Sequence, residues 1–166
     1  MPNHPNGIIP AEYKGLKFRV ESVNGVKIYR CKTYATPNKG MFKKLYGHLV
    51  FMINVVRQFR KVAKSVNIIL VSSPTFFSVF SAYVLSKAYK KPFIFEVRDL
   101  WPAIFKELNI IRNKLLLYLL EKLELFLYRK SEKVVTVTES FSKNIISMGI
   151  PGELALIHIS EPTRQE

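Results

Sequence analysis

The sequence predicts an α/β fold, a parallel sheet flanked by helices, on three observations. Short continuous apolar runs at residues 67–71, 93–95 and 134–138 have the length and β-branched content of buried strands. Helix-length amphipathic stretches separate those runs, as right-handed βαβ connections require. A charged stretch, Glu96-Val97-Arg98-Asp99-Leu100-Trp101-Pro102, directly follows the second run. In an open parallel sheet, ligands bind in the crevice beyond the carboxyl ends of the strands.

Length and charge narrow the options. With 166 residues, 48% of them hydrophobic, the chain is one domain able to bury a core. The formal net charge is +14, and it is lopsided. Residues 1–95 hold 16 Lys and Arg against 2 Asp and Glu, whereas residues 96–166 hold 10 of each. A basic half attracts phosphate, nucleic acid or an anionic membrane surface; the plainer alternative is a solvated surface suited to solubility. Cys31 is the single cysteine, which excludes an internal disulfide or a thiolate metal cluster. His4, His48 and His158 lack metal-ligand spacing. No apolar signal region opens the chain, and no apolar stretch reaches the roughly 18 residues of a spanning helix. The richest, residues 115–127, is broken by Glu121, Lys122 and Glu124. A reducing cytoplasmic setting is the default.

In order along the chain, residues 2–15 are rich in Pro, Gly and Asn and read as a loop. Two alternating runs then flank Asn24-Gly25, the strongest short hairpin signal. Residues 33–40 form another loop. Residues 41–64 read as one long helix, with Phe42, Leu45, Leu49, Ile53, Val56, Phe59 and Ala63 as a core-facing stripe and a basic margin. Such a basic amphipathic helix also suits an anionic bilayer. After the run at 67–71, a strand buried on both faces, Ser72-Ser73-Pro74-Thr75 turns into a helix over about 76–89. The hydroxyls there either cap that helix or help hold an anion at its N-terminus.

A short helix is expected to about residue 108, then a long one over 113–129. In it Leu116, Leu120, Leu123 and Leu127 face inward, and Lys114, Glu121, Lys122 and Glu124 outward. The run at 134–138 follows, then a helix from Glu139 to about Met148, with Gly149 as its C-cap. Parallel strands would bring Ser72/Ser73, Arg98/Asp99 and Glu139 to one rim. Two readings of Arg98 and Asp99 stay open: part of a site, or an ion pair that pins a turn while Trp101 plugs the core. Phosphate-loop, dinucleotide, nucleophile-elbow and His-Glu-x-x-His motifs are missing from the sequence.

With these residues placed, the chain resembles family-4 glycosyltransferases of the Rossmann-like GT-B architecture, in the branch that builds bacterial surface polysaccharides. The matching features are Pro2-Asn3-His4-Pro5 with Gly7, Glu21 before Gly25-Val26 and Arg30, and Ser73-Pro74. The run from Glu96 to Pro102, the Leu120-Glu121 to Glu124 helix, and Thr136 to Glu139 complete them. The resemblance implies retaining transfer of a sugar from a nucleotide-sugar, usually UDP-linked, to a lipid-linked glycan acceptor. It also implies a peripheral location on the cytoplasmic face of the membrane, with no metal or other cofactor and no nucleic acid partner.

By the same resemblance Asp99 and Arg98 are the expected catalytic residues. Asp99 would orient or deprotonate an acceptor hydroxyl, and Arg98 would hold phosphate or fix Asp99. Asn3, His4, Ser72, Ser73, Glu96, Trp101 and Glu139 are the expected substrate-binding residues. Residues 1–153 are expected to form a partial N-terminal domain, with the donor-binding domain missing and the piece alone inactive. Residues 154–166 depart from the family and resemble translated sequencing adapter, a non-native tail whose apolar start can still pair as a strand. The alternatives are a nucleic-acid or polyanion-binding α/β module and a noncatalytic membrane-surface protein.

Overall fold

A computed structural model describes residues 9–34, 41–73, 76–100 and 113–157. The chain divides into two compact units, residues 1–65 and 66–166.

The first unit is built on a β-hairpin. Strands β1 (Phe18–Val23) and β2 (Val26–Cys31) pair antiparallel, with Val23 opposite Val26 and Phe18 opposite Cys31. Asn24 and Gly25 form the two-residue turn at φ 49° and 81°, the left-handed geometry that matches strand twist. Within the loop expected over 2–15, residues Ala11–Tyr13 make one 3-10 turn. Its Tyr13 hydroxyl donates to Glu21 Oε1 at 2.9 Å, and Arg30 Nε donates to Glu21 Oε2 at 2.6 Å. Arg19 Nε lies 3.0 Å from the same carboxylate. Glu21 therefore ties both strands to the turn before them.

The helix expected over 41–64 is two, α1 (Met41–Gln58) and α2 (Arg60–Ser65). Helical hydrogen bonds still cross the break, Phe59 N to Val55 O at 2.9 Å and Ala63 N to Phe59 O at 2.7 Å. The helix docks through Phe59, whose ring lies 5.4 Å from that of Tyr29 on β2. It approaches closely at Gly47, where a Cβ would stand 2.8 Å from the Tyr34 carbonyl oxygen. The expected core-facing stripe is only partly so. Ala63 is buried, but Leu49 and Ile53 are 37% and 44% exposed, because the close contact is made through Gly47 on another face.

The second unit is a four-stranded parallel sheet in the order β3 (Ile69–Ser72), β4 (Phe93–Val97), β5 (Lys133–Thr136), β6 (Ala155–Ile157). Ser72 pairs with Glu96, Val97 with Thr136, and Thr136 with Ile157. The sequence-predicted strand at 67–71 is not buried on both faces. It is an edge of this sheet, and Leu70 is 66% exposed. Strands β4 and β5 are the inner ones, and on β4 Phe93, Phe95 and Val97 are buried. Val79, Leu127, Tyr128, Val134 and Ile145 join them in the core. Each such side chain contributes about 1.5–3 kcal/mol on burial.

Helix α3 (Phe76–Tyr89) links β3 to β4, and α4 (Lys114–Lys130) precedes β5. They meet through Tyr83 and Phe126, with ring centroids 5.2 Å apart. Asn113 caps α4 by accepting from Leu115 N and Leu116 N at 3.0 and 3.1 Å. Two sidedness expectations fail here. Leu116 is exposed, and Glu124 is buried, accepting from the Tyr128 hydroxyl at 2.7 Å. One turn apart, the two share a helix face, and the Tyr128 ring packs 5.1 Å from Phe95 on β4. Helix α5 (Glu139–Ser147) follows β5, with Met148 as its C-cap, one residue before the one expected, and Gly149, φ 85°, in the left-handed position just beyond. The short helix expected before residue 108 lies outside the described residues.

Candidate active site at the carboxyl rim of the sheet

Parallel pairing puts the exits of β3, β4 and β5 on one edge. Ser72 ends β3 opposite Glu96, and its hydroxyl donates to the Glu96 carboxylate. Ser73, one residue on, extends the ladder by donating its N–H to Glu96 O at 2.9 Å. Its side chain then reaches across to the next exit. Ser73 Oγ accepts from Arg98 N at 2.8 Å and from Asp99 N at 3.4 Å. Ser73 is 4% exposed, so this acceptor sits at the base of the rim, shielded from competing water.

Three consequences follow for chemistry. The Ser72 and Ser73 hydroxyls are engaged with β4 and the loop after it. The turn at 98–99 is pinned by a hydroxyl on backbone N–H groups, and among the described residues no ion pair joins Arg98 to Asp99. Their side chains remain to be presented at the rim, Arg98 exposed and Asp99 half-buried. An ionised carboxylate accepts hydrogen bonds only, and a guanidinium donates in a planar fork suited to phosphate or carboxylate. The pair is equipped to hold a hydroxyl and an anion side by side.

The third strand exit is fixed by threonines. Thr136 Oγ1 donates towards Thr138 O at 3.1 Å and Leu156 O at 3.3 Å. Thr138 Oγ1 caps α5 by accepting from Phe141 N at 3.3 Å. Glu139 stands next, exposed, with its carboxylate 2.9 Å from Lys143 Nζ one turn along. The hydrogen bond from Lys143, with its charge, holds the Glu139 carboxyl below its ordinary range. Glu139 thus lies on the predicted edge but is engaged within its own helix.

Of the residues singled out from sequence, Ser72, Ser73, Glu96, Arg98 and Asp99 come together. Glu139 is on the same edge without a hydrogen bond to them. Asn3, His4 and Trp101 lie outside the described residues. The pinning role of Ser73 carries no sequence signal, since the spacing of 25 residues to Arg98 is set only by the crossover. Among the described residues no group of three His, Cys, Asp or Glu side chains is arranged to hold a metal ion. No described helix is long and apolar enough to cross a membrane.

Comparison with curated proteins returns no match. The family model described as Glycosyltransferase Family 4 matches residues 19–159, most of the hairpin unit and all of the parallel sheet. The sheet with its flanking helices is accordingly a Rossmann-like half of a GT-B fold. The chain belongs to glycosyltransferase family 4, a family of enzymes that transfer glycosyl groups.

Proposed function

We propose that the carboxyl rim is the acceptor side of the glycosyl-transfer site. The observation that carries this is the Ser73 hydroxyl, which fixes the backbone of Arg98 and Asp99 and leaves both side chains for substrate. A hydroxyl nucleophile docks against the Asp99 carboxylate, which orients it and draws on its proton as the new glycosidic bond forms, the donor's sugar–phosphate bond breaks and the nucleoside diphosphate departs. The Arg98 guanidinium holds an anionic group beside it, either a phosphate of the substrates or Asp99 itself. Rigid placement matters, because orienting two reactants contributes more than any single contact.

In this reading the donor is a nucleotide-sugar, UDP-linked, carried on a further nucleotide-binding domain. The acceptor is a lipid-linked glycan of bacterial surface-polysaccharide synthesis, met at the inner face of the cell membrane. Transfer retains the anomeric configuration and uses no metal. The strongly basic residues 1–95 support attachment to an anionic surface.

The test is transfer of label from a panel of nucleotide-sugars to lipid-linked acceptors, by the chain joined to a donor-binding half. The expected result is UDP release with a labelled glycolipid of retained configuration. No transfer from any donor, together with tight, salt-sensitive oligonucleotide binding, would replace this reading with a polyanion-binding module.

A further inference from the structure

The opposite edge of the same sheet has its own chemistry. Four lysines, Lys87, Lys90, Lys91 and Lys130, line a groove of about 710 Å³ where α3 and α4 end. Tyr83 and Ser86 form part of its wall. A volume of this size suits a small-molecule headgroup. Among the described residues none of the four lysines is in an ion pair. One acid, Glu132, shares the groove.

Lysines at helix C-termini are expected to some degree, since they complement the negative end of the helix dipole. Two helix ends amount to about one elementary charge together, and Glu132 adds another. Four lysines then leave a surplus of about two positive charges. That surplus is what dipole compensation does not explain.

The backbone holds the lysines in place. Lys91 N donates to Ser86 O at 3.0 Å, and Ser86 Oγ donates to Lys91 O at 2.6 Å. Lys90 sits at φ 52°, in the left-handed position after a helix where glycine is the favoured residue. A lysine there carries backbone strain that glycine would not. Such outliers persist where the surroundings over-determine them, and they concentrate at ligand sites. On the far side Lys130 Nζ stands 5.8 Å over the Phe126 ring, which in turn packs on Tyr83. Lys130 is therefore set against an aromatic wall.

We propose that this groove is a second, phosphate-binding site, at the opposite end of the strands from the glycosyl-transfer rim and independent of its chemistry. A multiply charged phosphate group matches the charge surplus, and Ser86 and Tyr83 supply polar and aromatic walls. The phosphate can be carried by a soluble diphosphate or by an anionic phospholipid headgroup.

The experiment uses the whole chain and two probes. Inorganic pyrophosphate is titrated by calorimetry, and vesicles of phosphatidylcholine with and without phosphatidylglycerol are used for co-sedimentation. The site variant is the triple K87Q/K90G/K130Q, in which the glycine also suits φ 52° and guards the fold. A control triple, K114Q/K122Q/K143Q, removes the same charge from the second unit outside the groove and outside residues 1–95. The expected result is that at least one probe binds the wild type and the control, and binds the site variant about a hundredfold more weakly. Whether pyrophosphate or the phosphatidylglycerol vesicle binds identifies the source of the phosphate. Binding of neither probe, or an equal loss in both triples, would overturn the proposal.

Discussion

Ser73 Oγ lies 2.8 Å from the backbone nitrogen of Arg98, a hydrogen bond that spans the exits of two neighbouring parallel strands. It makes a buried side chain on β3's exit the anchor for a charged loop on β4's. The rim's geometry is thus set below the surface, by a residue that substrate need not touch.

Ser73→Ala removes that anchor. Losing one hydrogen bond at a nearly buried acceptor costs about 1–2 kcal/mol, measurable as a lower urea midpoint with unchanged slope. Amide exchange at Arg98 and Asp99 should accelerate specifically, while the β5 amides stay protected. Unchanged exchange at 98 and 99 would show that the loop is held by something else.

The hairpin predicts a pH effect of definite sign. The hydrogen bond from Arg30, then that from Tyr13, holds the Glu21 carboxyl below its ordinary value of 4.5. A depressed acid lends stability that is fully present above that ordinary value and is lost as pH falls through the lower, folded one. Amide protection of β1 and β2 should therefore fall on acidification below pH 4.5. In Glu21→Gln the hairpin should be weaker at neutral pH and lose this dependence. An acid response in the Glu21→Gln hairpin equal to that of the wild type would contradict the assignment.

Tyr128→Phe tests the buried pair in α4. The phenol is fully buried, and burial first, then the Glu124 charge, push its ionisation well above the ordinary range. It therefore acts only as a donor to Glu124. Its removal deletes one hydrogen bond to a buried acid and should cost about 1–3 kcal/mol in denaturant unfolding. Neutral behaviour would mean that another partner satisfies the acid fully.

Two left-handed positions predict opposite signs. Gly149, at φ 85°, has only ordinary space around a built Cβ, the nearest atom being Arg129 Nη2 at 4.0 Å. Gly149→Ala should still destabilise by about 1–2 kcal/mol through backbone strain alone. Lys90→Gly, at φ 52°, should stabilise by about 0.5–1 kcal/mol. Thermal or urea unfolding of both variants reads the two signs directly.

Local signals carried much of the fold. Asn24-Gly25 announced the hairpin because the turn needs positive φ at both residues, and the structure has it. Helix α3 and the left-handed Gly149 just past α5 were equally legible, since turn residues and apolar periodicity act over a few positions. What failed was set by distant contacts. Leu70 reads as buried in any continuous apolar run, but its strand is an edge. Glu124 reads as an outward charge until Tyr128 is seen beneath it. At the rim, strand order placed Ser72, Ser73, Arg98 and Asp99 together, as the parallel pairing has them. The hydroxyl bridge that joins them arises only when the crossover brings residues 73 and 98 together.

The measurement that bears most directly on the rim as a glycosyl-transfer site is kcat/KM of Asp99→Ala, made in the chain joined to a donor-binding half. Circular dichroism and amide protection of the sheet should match wild type, while transfer falls by about 10²–10⁴-fold. A soluble, folded Asp99→Ala protein that transfers sugar at the wild-type rate would contradict it.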